Sequence, residues 1–295
     1  MFKNLYSKMQ KQNRVVILGS SGFVAKSLVE KLKRNNIPYL SISKKKINLT
    51  SIKSVKNLKK IISKKDVIVF ISAKAPVKNL KMFDDNIKMV KNFIETLEDF
   101  KNNHIIYISS DAVYKDINNK INENSLTIPG SLHGIMHLTR ELLLKSHFNN
   151  LCILRPTLIY GSKDPHNGYG PNQFIRLAKS NLDIKLFGNG EELRDHVWIE
   201  DVTKIVYYAI CYKSIGILNI ATGQVNSFYK IAKKIINLTK SKSKIIKLKR
   251  VGAMPHNGYR PFNSYLTYKT YPNFKYANLF NKLKLIHKEY KIKLK

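Results

Sequence analysis

Arg14 to Leu32 reads RVVILGSSGFVAKSLVEKL. Val15 to Leu18 is a continuous apolar run of strand length, stopped by Gly19, as a strand buried on both faces would be. Helical periodicity then covers about Phe23–Asn35. Between them Gly19, Gly22 and Ala25 stand in G-x-x-G-x-x-A spacing. Gly19 allows a tight turn, Gly22 lets backbone approach a pyrophosphate, and Ala25 permits close packing of helix on strand. The helix N-terminus adds partial positive charge. A glycine-rich turn alone is weak evidence, but in the first strand–helix unit of a parallel sheet it points to a dinucleotide.

The chain on either side supplies that sheet. PYLSIS (38–43) reads as a second strand, INLT (47–50) as a short third one, and DVIVFISA (66–73) as another. An amphipathic helix follows over 79–100, then the strand HIIYISS (104–110), a helix around His133, and the strand LCILRP (151–156). IGILNIAT (215–222) is one more strand. Short strands alternating with helices predict an α/β fold, a doubly wound parallel sheet with right-handed crossovers. Residues 12–162, with 196–235 returning to them, are expected to form the dinucleotide-binding domain. Residues 163–195 plus 236–295 form a smaller, discontinuous C-terminal lobe over the sheet's C-terminal edge, where open sheets bind ligands.

At the end of the second strand stand Ser43 and then Lys44, Lys45 and Lys46, with no carboxylate for a ribose 2′-hydroxyl. The cofactor reading is NAD(P), with a slight lean to NADP. Further on, PHNGYGPN (165–172) recurs as PHNGYRPFN (255–263). Asn-Gly is turn chemistry, but the shared His, Tyr and Pro go beyond what a turn needs. The pair reads as two loops presenting His166, Tyr169, Asn172, His256 and Tyr259 to a polar substrate.

The net charge of +34 would ordinarily suggest nucleic acid or an anionic membrane. Only 8 of the 53 basic residues are arginine, and the lysines are spread along the chain beside abundant Asn and Ile. Arginine is the better residue for bidentate contacts, so the basic surface reads as solvated, with no specific nucleic acid partner. Two isolated cysteines suit a reducing compartment. The basic N-terminus lacks an apolar signal core, and no stretch approaches 18 apolar residues. The expectation is a cytoplasmic protein that does not engage a membrane.

In order along the chain, GSSGFVA (19–25), INLT, ISAKAP (71–76), NIKMVKNFIE (86–95), YISSDAVY (107–114), the helix from Pro129 to Glu141, LRPTLIYG (154–161) and GNGEELRDHVWIEDV (188–202) resemble the extended short-chain dehydrogenase/reductase family, the NAD-dependent epimerase/dehydratase group acting on nucleotide sugars. The resemblance covers nearly the whole chain from Arg14. It implies cofactor contacts from Gly19, Ser21, Gly22, Phe23, Val24, Ser43, Lys44, Asn48, Leu49, Ala73, Ala75, Asn86, Ser109 and Pro156. It implies a nucleotide-sugar substrate, with Arg194 and Arg260 on its diphosphate and Ser110 on the reacting oxygen. Asp111 falls where dehydratases of the family carry an acid. Their neighbouring glutamate is Ala112 here, which argues against 4,6-dehydration. A homodimer through the helices around 79–100 and 131–148 is a further expectation.

The pattern breaks in SLHGIMHLTRE (131–141). Pro129, Ser131, Gly134 and Glu141 keep the family's offsets, but His133 stands at the tyrosine position and His137 at the lysine position. Tyrosine, with a pKa near 10, needs the lysine's charge to work at neutral pH, whereas histidine already titrates near 6.5. His133 can therefore be read as the acid/base and His137 as the ribose-orienting group. A metal site is a second reading, since His133, His137 and Glu141 share one helix face. Three ligands over two turns of a straight helix converge poorly on one ion, so no metal is expected. A catalytically silent cofactor-binding sensor or partner subunit is the third. The favoured expectation is an enzyme, an NAD(P)-dependent nucleotide-sugar epimerase or keto-reductase with His133 as acid/base.

Overall fold

The computed structural model describes residues 2–165 and 167–292. The chain runs β1 (Lys3–Asn4), β2 (Val15–Leu18), α1 (Phe23–Arg34), β3 (Tyr39–Ile42), the one-turn helices α2 (Ile52–Val55) and α3 (Leu58–Ile61), β4 (Val67–Phe70), α4 (Leu80–Thr96), β5 (His104–Ile108), α5 (Leu132–Lys145) and β6 (Asn150–Pro156). It continues through β7 (Leu158–Tyr160), α6 (Pro171–Lys179), β8 (Ile184–Phe187), β9 (Leu193–Trp198), α7 (Ile199–Cys211) and β10 (Ser214–Ile220). The last elements are β11 (Val225–Ser227), α8 (Phe228–Thr239), β12 (Ile245–Leu248), β13 (Tyr259–Arg260), α9 (Tyr265–Thr270) and α10 (Leu279–Ile292).

Seven strands form the main sheet in the order β1-β10-β6-β5-β4-β2-β3, parallel throughout except for β1. The apolar runs fill both of its faces. Val15 and Ile17 pack with Leu28 and Leu32 of α1 and Ile205 of α7. Val16 and Leu18 face the other way, toward Phe93 of α4 and Leu144 of α5. The two-residue period of a strand sorts them, and each such buried side chain contributes about 1.5–3 kcal/mol. This is the doubly wound architecture that the alternation predicts.

Beyond β6 the chain builds smaller units. β9 carries β11, β13 and β7 beside it, while β8 pairs with β12. α6, α8 and α10 bury a separate apolar cluster that includes Phe174, Phe228, Ile231 and Leu283.

Three local expectations are corrected. INLT is no strand: Ile47 and Leu49 are buried in the core, but Asn48 Oδ1 accepts from the Thr50 amide and hydroxyl, which bends the chain into a turn. Alternating apolar residues can be buried by a turn as readily as by a pleat. The fourth helix ends at Thr96, and a 3₁₀ turn over Glu98–Phe100 completes the stretch. The sheet also takes in Lys3–Asn4, upstream of Arg14, as an antiparallel edge held by Ser214 Oγ donating to Asn4 Oδ1 at 2.6 Å.

Candidate active site

The C-terminal ends of β2, β4, β5 and β6 open on one cleft of about 780 Å³. One wall is the glycine turn. Gly19 sits at φ +94°, and a Cβ there would stand 2.7–2.8 Å from Ser72, so only glycine fits between β2 and the end of β4. Gly22 caps α1 without any side-chain hydrogen bond, and the first turn of α1 holds no acidic residue. Its leading amides are therefore open to an anion. Gly22, Phe23, Val24, Ala73, Ala75, Ser109 and Pro156 all line the cleft. This arrangement fits a dinucleotide: small residues at the strand ends and bare amides at the helix start.

The other expected cofactor residues lie off the cleft wall. Ser43 and Lys44 begin the turn after β3, where the Ser43 carbonyl accepts from Lys46 and Ile47. Asn48 and Leu49 belong to the turn described above. Ser21 is exposed beside the glycine turn. Asn86 is fully buried, and its amide exchanges hydrogen bonds with both backbone groups of Lys74. It therefore fixes the Ala73–Ala75 wall from behind.

Across the cleft, α5 brings up the two histidines. Ser131 caps this helix through the Gly134 amide. Gly134 lies so close to the 111–113 turn that a Cβ would come 2.1 Å from the Ala112 carbonyl oxygen. His133 lines the same cleft as Ser110 and Asp111. The rings of His133 and His137 meet edge to face at 4.7 Å. Burial pushes the His133 pKa down, with Asp111 pulling the other way. His137 is held well below its ordinary value by burial and by the charges of His133 and Arg140.

Tyr107 and Arg140 lie buried behind this wall, and sequence spacing marks neither of them. Tyr107 Oη lies 2.7 Å from His137 Nδ1. Burial keeps the phenol protonated, and its hydroxyl and His137 Nδ1 share one hydrogen bond whose direction follows the imidazole tautomer. Arg140 is fully buried, stacked 4.6 Å from the Phe70 ring centroid and 5.1 Å from that of Tyr107, and Nη2 donates to the Ser72 carbonyl at 2.8 Å. The helix thus carries a permanent cation one turn past the lysine position. Glu141 is committed elsewhere. It accepts from Ser109 Oγ at 2.6 Å and from Arg155 at 2.9 and 2.5 Å. His133, His137 and Glu141 therefore do not converge on one point, and among the described residues no group of His, Cys, Asp and Glu is placed to hold a metal ion.

Ser110 Oγ accepts from the Ala112 amide and lies 3.4 Å from Asp111 Oδ1. Arg260, expected on the diphosphate, is buried behind Asp111 and Asp116, which line the cleft. Its Nε donates to Asp111 Oδ2 at 3.0 Å, Nη2 to the Asp111 carbonyl, and Nη1 to Asp116 at 2.5 Å. Arg194 lines the cleft, with Nη1 on Glu192 at 3.0 Å.

Of the repeated loops, Tyr169, Asn172 and His256 reach the cleft. Asn172 is used internally, joining the Gly161 amide to Asp164. Tyr169 packs against Phe174, Phe187 and Phe228. His256 Nδ1 pairs with Asp116 at 2.6 Å. Tyr259 is exposed on β13 and does not line the cleft, and His166 lies outside the described residues. Tyr160 and His196 also line the cleft. Only their strand context signals them, through the alternation of β7 and β9.

Comparison with known proteins gives a consistent answer. Residues 15–221 match the model of the NAD dependent epimerase/dehydratase family. A dTDP-D-glucose 4,6-dehydratase of Dictyostelium discoideum is 27% identical over 196 residues, which is 59% of this chain and 45% of that protein. The chain thus aligns with less than half of that relative's length. A UDP-glucose 4-epimerase of Thermus thermophilus, solved in complex with NAD, superposes with a TM-score of 0.80 at 16% identity, covering 94% of this chain and 99% of the other. A GDP-L-fucose synthetase of Naegleria fowleri, solved bound to NADP, gives 0.82 at 15% identity over 99% and 98%. At these identities the structural likenesses establish the fold alone.

Proposed function

Because the chain belongs to the NAD dependent epimerase/dehydratase family, we propose that it is an enzyme performing reversible hydride transfer at a carbon of a nucleotide-activated sugar, as an epimerase or a keto-reductase. The observation that carries this reading is the meeting of Ser110, His133 and His137 in the cleft that also receives the glycine turn. The nicotinamide supplies a site that accepts or returns hydride.

The chain's own residues do the rest. Ser110 hydrogen-bonds the reacting oxygen. Burial keeps His133 neutral at pH 7, ready to take the hydroxyl proton as hydride leaves the carbon and to return it in the reverse step. His137, hydrogen-bonded to Tyr107, would donate to the nicotinamide ribose in the tautomer that carries its proton on Nε2. The amides leading α1 receive the pyrophosphate, and Arg194 meets the sugar nucleotide's phosphates. Ala112, in place of a second acid, argues against 4,6-dehydration. Ser43 and Lys44–Lys46 favour NADP over NAD. Exposed Leu80 on α4, with Leu132, Ile135 and Leu142 on α5, supports a homodimer through these helices.

The experiment is to purify the protein, assay bound nicotinamide cofactor, and incubate a panel of nucleotide sugars with wild type, His133→Ala and His133→Tyr, reading products by mass spectrometry. His133→Ala is expected to lose about 100-fold or more in turnover, the usual contribution of a positioned acid/base. Turnover unchanged in that variant removes the proton-transfer role, and tight cofactor binding without turnover of any sugar supports a sensor instead.

A further inference from the structure

Alternation along β9 puts Arg194, His196 and Trp198 on one face. On the neighbouring strand, Leu158 stands opposite His196 and Tyr160 opposite Trp198. His196 is 5% exposed and Tyr160 1%, yet both line the cleft. Neither His196 nitrogen nor Tyr160 Oη has a hydrogen-bond partner among the described residues. The Arg194 backbone approaches the imidazole and offsets a small part of its burial. Asp195, on the opposite face, is by contrast fully served by Thr157, Thr222 and Gly223. Buried polar atoms are nearly always paired, and an orphan costs stability. The lack of a side chain at Gly170, whose φ is +126°, also keeps the ring uncovered: a Cβ there would lie 3.5 Å from His196 Nε2.

We propose that His196 and Tyr160 form a hydroxyl-recognition subsite, taking an uncharged, hydroxyl-bearing part of the ligand whose anionic group meets Arg194. Burial lowers the His196 pKa to about 3, so the ring offers one N–H donor and one bare nitrogen acceptor. The buried Tyr160 phenol stays protonated and donates. Donors plus an acceptor, with no charge among them, complement a hydroxyl or a vicinal diol, which can use both roles, whereas a phosphate oxygen can use only the donors and leaves the bare ring nitrogen unpaired. The charge lies two residues up the strand at Arg194, about 7 Å away by strand rise. Trp198 Nε1 is also unpartnered, but it does not line the cleft and takes no part. The inference rests on the reading that the cleft holds a nucleotide sugar.

The test uses the full chain and the variants His196→Phe, which keeps a ring, and Tyr160→Phe, which removes only the hydroxyl. UDP-, dTDP- and GDP-linked hexoses and inorganic pyrophosphate are titrated calorimetrically, and melting temperatures are measured without ligand. For the sugar nucleotide that wild type binds, His196→Phe is expected to weaken affinity about 10-fold or more, a typical loss when one polar contact fails, and to leave pyrophosphate within twofold. Its ligand-free melting temperature is expected to hold or rise, because the atoms removed had no partner. Unchanged affinity for the sugar nucleotide overturns the proposal. If wild type binds pyrophosphate but no sugar nucleotide, the reading of the cleft fails. The subsite is then decided by melting alone: a fall of several degrees in His196→Phe marks the ring as structural and overturns it, and a rise supports it.

Discussion

Replacing Glu141 by alanine tests whether the site rests on a buried ion pair. Glu141 is fully buried and Arg155 is 2% exposed. The carboxylate accepts two hydrogen bonds from the guanidinium and one from Ser109. Removing it leaves the cation with weaker compensation, from the Tyr114 ring 4.7 Å away and the more distant charge of Glu123. Breaking one side of such a pair costs about 3–5 kcal/mol, a large part of the roughly 5–15 kcal/mol that holds a domain folded. At about 2–4 °C per kcal/mol for a domain approaching this size, melting should fall by roughly 6–20 °C. Urea denaturation followed by circular dichroism gives the free energy directly, with an unchanged m-value showing that the unfolding reaction is the same. The double variant Glu141→Leu/Arg155→Met removes both charges and should recover most of the loss, since apolar replacements of buried pairs are often neutral. A loss below about 1 kcal/mol in Glu141→Ala, or a double variant worse than the single, would refute this reasoning.

Three further outcomes are expected. Gly134→Ala drives a methyl into the Ala112 carbonyl; about 1–3 kcal/mol of stability should be lost by overpacking, and turnover should fall further because His133 moves off Ser110, a result checked by denaturation beside steady-state kinetics. Gly19→Ala combines a positive φ with contact against Ser72 and should weaken nicotinamide cofactor binding at least about tenfold, read by fluorescence titration. His104, buried with Nε2 on the Ser214 carbonyl, has its pKa lowered by burial to about 4. The unfolded chain therefore takes up this proton first, from about pH 6.5 downward, and wild type loses up to about 1.4 kcal/mol per pH unit until pH 4. His104→Gln should remove that component, so its stability relative to wild type must improve as pH falls through this window; a constant gap across pH would show that His104 carries no linked proton.

The six parallel strands were legible because each is a short, mostly apolar run ended by glycine, serine or another small residue, and the glycine turn was legible because its spacing answers a steric demand. INLT misled because buried i and i+2 positions look alike in a strand and in a turn. The cleft was only half legible. His133 and His137 stand out by their spacing along one helix, and Ser110 through the resemblance that YISSDAVY bears to the family. Tyr107 and Arg140 do not, since their roles come from packing across α5 and β5. Arg260 was singled out by the family resemblance, but no sequence pattern reveals its pairing with Asp111 and Asp116.

That contact ties residue 260 to residue 111 across 149 positions of chain, next to the serine proposed to bind the reacting oxygen. The turn carrying Ser110 and Asp111 is thus shaped partly from the far end of the polypeptide. A fragment ending before β13 would keep the glycine turn and both histidines, yet leave two carboxylates repelling each other where one arginine had reconciled them. Cofactor binding and catalysis should therefore part company in such a fragment: the first belongs to the sheet, while the second is complete only once the C-terminal segment has closed back on it.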